Sequence, residues 1–79
     1  MIDWVQVGAD IALAPTPELR TIVRSAVAVR VDALARVTGD AATYGKRTAE
    51  RLRVEATDSL YRVTEAARKR DWSYFSDRH

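Results

Sequence analysis

Seventy-nine residues leave room for one domain and one modest core, and with no cysteine there is neither a disulfide framework nor a thiolate metal site to reinforce it. The 13 basic and 11 acidic side chains give a formal charge of +2, too even a balance to point to a polyanionic partner on its own. No apolar run approaches the roughly 20 residues of a membrane span, and Asp3 stands where a secretory signal would carry positive charge, so an intracellular chain, soluble or bound in an assembly, is expected.

From Ile2 to Ala14, the residues Trp4, Val7 and Ile11 fall on one helical face, while Ile2, Val5, Ala9, Ala12 and Leu13 cover most of another. Asp3, Gln6 and Asp10 are left for water. A short helix with so little polar surface is expected to be buried on nearly all sides. Pro15 ends it, because the residue before a proline avoids helical geometry. Its acidic polar face is a poor match for anionic lipid headgroups, which favour Lys or Arg, so a membrane surface is not the expected partner.

Thr16, Pro17 and Glu18 form the clearest local signal in the chain. Thr16 can cap the free amides, Pro17 suits the first helical position, and Glu18 complements the positive end of the helix dipole. The helix predicted here covers residues 17–38, with Gly39 available as a left-handed closing residue and Asp40 as the next cap. Leu19, Ile22, Val23, Ala26, Val27, Ala33, Leu34 and Val37 make its apolar face. Arg30 projects from the middle of that arc, so it is expected to meet a carboxylate such as Glu50 or Glu55, to snorkel to water, or to cross an interface.

Asp40 can open one long helix over residues 40–75, with Gly45 as a position of close helix contact; alternatively Thr43, Tyr44 and Gly45 form a loop before a start near Lys46. The strongest periodicity runs from Thr48 to Phe75. Ala42, Gly45, Ala49, Leu52, Ala56, Leu60, Val63, Ala67 and Tyr74 line one stripe, the expected core face. On the opposite side Val54, Tyr61 and Trp72 form a second, sparser apolar line, for which a two-helix monomer has no internal use. Charges at helical spacing flank both: Arg51 with Glu55, Asp58 with Arg62, Glu65 with Lys69. Beyond residue 70, Trp72, Tyr74 and Phe75 concentrate three of the six aromatic side chains in a segment that would otherwise fray, which reads as a docking tail ahead of a short terminus at residues 76–79.

Motifs for chemistry are lacking. His79, the only histidine, is the last residue, which disfavours a catalytic triad or a histidine metal site. Glu55, Asp58 and Glu65 share a helix side as paired carboxylates do, yet each lies beside a base at ion-pair spacing. No glycine-rich phosphate loop follows a strand, since no strand is predicted. No cofactor, metal or small-molecule substrate is therefore expected. Nucleic acid has more to recommend it: Arg47, Arg51, Arg62, Arg68, Lys69 and Arg70 combine cations with nearby Trp72 and Tyr74, although Glu55, Asp58 and Glu65 interrupt the same side.

The sequence thus predicts an all-α fold: a single domain built as a hairpin of two long antiparallel helices plus a short apolar N-terminal helix, packed in an oligomer or larger assembly. A chain this short has only about 3 to 5 kcal/mol of its own stability, and association is a recognised supplement. The expected role is that of a non-enzymatic structural or interaction subunit, at home in a large assembly such as a phage particle. Trp4, Ile11, Arg30, Val54, Tyr61, Trp72, Tyr74 and Phe75 are its candidate protein-interface residues. A small basic nucleic-acid-binding regulator is the alternative.

Overall fold

The computed structural model describes residues 1–76, and all of the regular structure in them is helical. His79 and the terminus from residue 77 lie outside the described residues. Four α-helices follow one another: α1 (Trp4–Ala12), α2 (Pro17–Gly39), α3 (Ala41–Tyr44) and α4 (Lys46–Arg68), with a closing 3-10 turn at Trp72–Phe75. The two long helices, α2 and α4, form the antiparallel hairpin expected from the sequence.

Each helix start has a legible cause or lacks one. Asp3 caps α1, its carboxylate accepting from the amides of Val5 and Gln6 at 3.1 and 3.2 Å. Thr16 caps α2, Oγ1 accepting from the Leu19 amide at 3.0 Å, with Pro17 in first position. Asp40, expected to cap the following helix, makes no such bond, and α3 is a single turn. Gly45 then turns the chain with φ 80 and ψ 156, a backbone open essentially to glycine alone. The left-handed role expected of Gly39 therefore belongs to Gly45, while Gly39 is the last residue of α2. Nor does Gly45 mark a close helix contact, because no atom lies within 4 Å of where its Cβ would stand.

The long helix expected over 40–75 is divided at both ends. At Arg68 it closes in a Schellman arrangement: the Asp71 amide donates to the Ala66 carbonyl at 2.9 Å and the Arg70 amide to Ala67 at 3.1 Å. Arg70 occupies the left-handed position, φ 60, where glycine is usual. This reversal turns the aromatic segment back onto the molecule. Phe75 is buried, Trp72 and Tyr74 pack beside it, and the Tyr74 and Phe75 rings meet edge to face at 5.4 Å.

One end of the hairpin holds the core. Val7 and Ile11 of α1, Val23 and Val27 of α2, Leu60, Val63, Ala66 and Ala67 of α4, and Phe75 form a single cluster. Only Val23, Val63 and Asp10 stand out as sizeable side chains that are fully buried, so the core is thin. At about 1.5 to 3 kcal/mol per buried aliphatic side chain, a handful of valines has to offset the ordering of the whole chain. Toward the α2–α4 connection the hairpin lies bare: Val29, Val31, Tyr44 and Val54 are exposed and Ala49 is buried. The molecule measures 43 × 28 × 16 Å, with a radius of gyration of 13.8 Å where a compact domain of this length has about 12 Å.

Two polar side chains depart from the expected arrangement. Asp10, read as water-facing, is 1 % exposed. Arg30 meets neither Glu50 nor Glu55; its Nε donates to Ser59 Oγ at 3.0 Å and a terminal nitrogen to the Ala26 carbonyl at 2.9 Å. Ser59 lies opposite Arg30 across the hairpin, and a neutral hydroxyl with a helical carbonyl satisfies the guanidinium where a carboxylate was expected.

Candidate protein-interaction surface

The expectation that α1 is buried on nearly all sides is not met: among the described residues the chain's own elements cover one side of it. Val7, Asp10 and Ile11 face inward, followed by Ala14. The outward side carries Trp4 at 51 %, Val5 at 84 % and Leu13 at 59 % exposure, with Gly8, Ala9 and Ala12 exposed between them. No ionised side chain of α1 shares that side: Asp10 points in, and Gln6 donates to the Asp10 carboxylate at 2.8 Å.

A second apolar line lies on α4, where Val54 is 62 % and Tyr61 44 % exposed, seven residues apart and therefore on one side of the helix. Tyr61 lines three shallow depressions. Arg53, Val54, Thr57 and Asp58 share one with it, Ala66, Lys69 and Tyr74 are among those sharing another, and in the third Ile2 and Val7 of the α1 end lie beside the charged Asp3, Glu65 and Arg68. On α2, Ile22 and Val29 are also exposed, with half-buried Ala26 and Ala33 completing a 4-3-4 spacing.

The candidate interface residues divide accordingly. Trp4, Val54 and Tyr61 present themselves to solvent. Ile11 and Phe75 face the chain's own core, which withdraws them from any partner, and Trp72 and Tyr74 pack against that core in the 3-10 turn. Arg30 is half-buried between the long helices. Val5, Leu13, Ile22 and Val29, also exposed, lie outside that candidate set. For the α2 pair the 4-3-4 spacing was an available signal, whereas for α1 nothing local tells a covered apolar face from an open one.

Ion pairing takes up most of the alternative basic set. Arg62 meets Asp58 at 2.8 Å, Arg68 and Lys69 meet Glu65 at 3.0 and 3.9 Å, and Arg70 meets Asp10 at 3.0 Å. The Arg68 hydrogen bond, with the charges of Arg68 and Lys69, holds the Glu65 carboxyl below the ordinary glutamate range, and Glu65 in turn raises Arg68. Arg47 and Arg51 form no ion pair among the described residues, and the pair expected between Arg51 and Glu55 is not made. Among the described residues no three His, Cys, Asp or Glu side chains gather as a metal site would require, and no helix is long and apolar enough to cross a membrane. No family model, curated protein or solved structure matches this chain.

Proposed function

We propose that this chain is a non-enzymatic structural or interaction subunit of a larger protein assembly, of which a phage or other virus particle is one kind. It acts through helix packing, with residence inside the cell or in the assembled particle. The observation that carries the reading is the open apolar side of α1, with Trp4, Val5 and Leu13 exposed, to which Val54 and Tyr61 on α4 add a second exposed apolar line. Large exposed apolar side chains grouped on one helix side are the kind of surface that marks a binding face. The aromatic segment serves differently from a free docking tail: it is folded onto the core against α2 and α4.

A nucleic-acid-binding role is weaker because four of its six candidate cations, Arg62, Arg68, Lys69 and Arg70, already have carboxylate partners. Phosphate would have to displace those partners or rely on Arg47 and Arg51. Sedimentation with and without duplex DNA at two salt concentrations separates the readings. Association independent of DNA is the expected result. A monomer that binds DNA tightly, and loses it steeply with salt, would reverse the order.

A further inference from the structure

We infer that the Arg70–Asp10 pair joins α1 and the closing 3-10 turn into one opening unit, so that these two segments leave the α2–α4 hairpin, and return to it, together. The inference is independent of what binds the outward side of α1.

Neither segment holds its form alone. α1 has 9 residues with Gly8 inside it, where an isolated helix needs about 12 to 15 and glycine weakens it further. The turn has 4 residues and no side-chain cap. Both keep their structure by lying on the same two helices, α2 and α4, with Val7 and Ile11 of α1 and Phe75 of the turn in one buried cluster. The long helices also have a link of their own, from Arg30 to Ser59.

Arg70 belongs to both segments at once. Its backbone makes the reversal that sends the chain back toward the core: φ is 60, its amide donates to the Ala67 carbonyl at 3.1 Å, and the Asp71 amide donates to Ala66 at 2.9 Å. Its side chain holds α1, Nη1 donating to Asp10 Oδ1 at 3.0 Å as well as to the carbonyls of Ala67 and Arg68. The left-handed region is unfavourable for a residue with a Cβ, so a turn that lifts lets Arg70 relax out of it and away from Asp10. The carboxylate, 1 % exposed, is then left in the core without its cation, an arrangement that disfavours a docked α1. Gln6 offers no substitute hold on the hairpin, because its bond to Asp10 lies within α1 and moves with it. In the other direction, a departing α1 removes the carboxylate that anchors the Arg70 side chain.

Amide hydrogen exchange of the full chain, followed by NMR, tests this. The Val7 and Leu13 amides report on α1, bonded to Asp3 and Asp10 carbonyls, and the Asp71 and Tyr74 amides report on the reversal and the turn. In the wild type all four should exchange faster than the amides of Val23 and Val63 and share one dependence on low urea. Ala9 stands on the exposed side of α1, so Ala9→Gly weakens that helix without removing a core residue. It should speed exchange at Val7 and Leu13 about fivefold, and at Asp71 and Tyr74 by the same factor. With Arg70→Gln added, the effect should stay within α1. Unchanged Asp71 and Tyr74 rates in Ala9→Gly would show that the segments open separately and overturn the inference. It is equally overturned if those rates still follow α1 in the Arg70→Gln background, which would make the shared apolar cluster the link, or if all four wild-type amides exchange only as slowly as Val23 and Val63.

Discussion

Arg70 holds the buried Asp10 carboxylate at 3.0 Å across a sequence separation of 60 residues, and it does so from a left-handed backbone. The same terminal nitrogen donates to the carbonyls of Ala67 and Arg68, so the side chain wraps the end of α4 while reaching α1. One residue thereby ends the long helix, turns the aromatic segment inward and pairs with Asp10, the one acidic or basic side chain among the described residues that is fully buried. Three elements are tied at one point.

Removing that side chain strands the carboxylate on Gln6 alone. Breaking a buried pair costs about 3 to 5 kcal/mol, but the Arg70 side chain is 41 % exposed and solvent screens the pair, so about 2 to 3 kcal/mol is the expected loss for Arg70→Ala. Arg70→Gly loses the same pair but relieves the left-handed backbone, recovering about 1 kcal/mol. Urea unfolding followed by circular dichroism should rank wild type above Arg70→Gly, and Arg70→Gly above Arg70→Ala. Equal stability of the three would show that Asp10 needs no cation.

The two glycines flanking α3 should respond with opposite signs. Gly45→Ala forces a side chain into φ 80, ψ 156, at a cost of about 1 to 3 kcal/mol despite open space around it. Gly39→Ala replaces a helical glycine and should add about 0.4 to 1 kcal/mol by restricting the unfolded chain. Thermal unfolding of both variants checks the pair.

Helix ends give a third contrast. Thr16→Ala removes the α2 cap and should cost about 1 kcal/mol. At α4 no side chain caps the first turn and no acid occupies it, so the cationic Arg47 faces the positive end of the dipole. Arg47→Glu should therefore stabilise by about 0.3 to 1 kcal/mol, an effect that shrinks with added salt. A loss of stability would mean that Arg47 has a partner the helix end alone does not provide.

Glu65 provides the pH signature. Its carboxyl is held low by Arg68, so its contribution to stability is present above the ordinary glutamate range and is lost as pH falls through the lowered folded value. Arg68, raised, stays charged throughout that window. An NMR titration of the Glu65 side-chain carboxyl should show its midpoint move upward in Arg68→Gln. An unmoved midpoint would remove Arg68 as the cause.

Where the sequence was legible, the signal was local. Thr16, Pro17 and Glu18 announce α2 with three independent cues, and the helical spacing of Ala49, Leu60, Val63 and Ala67 marks the buried face of α4. Asp10 and Arg70 were not legible, because neither neighbourhood records a partner so far along the chain. Arg70 also closes its helix where glycine normally signals the stop, so the apolar periodicity runs on to Phe75 without a break in the sequence. For α1 the composition announced a need for cover but not its source; the fold supplies cover on one side and leaves Trp4, Val5 and Leu13 open.

Arg30 closes the set. Its guanidinium donates to Ser59 and to the Ala26 carbonyl, linking the long helices through neutral acceptors. An uncharged acceptor pair compensates a half-buried cation only in part, so replacing the cation with an aliphatic group of similar reach removes a desolvation cost along with the hydrogen bonds. Arg30→Leu is therefore expected to change stability by less than about 1 kcal/mol in either direction, with Ser59 free to turn to its own helix. Sedimentation should show the same association state as the wild type, since the side chain is spent inside the hairpin. A variant that folds as well as the wild type but changes its association state would place Arg30 at a subunit contact and would overturn the internal role assigned by its bonds to Ser59 and Ala26.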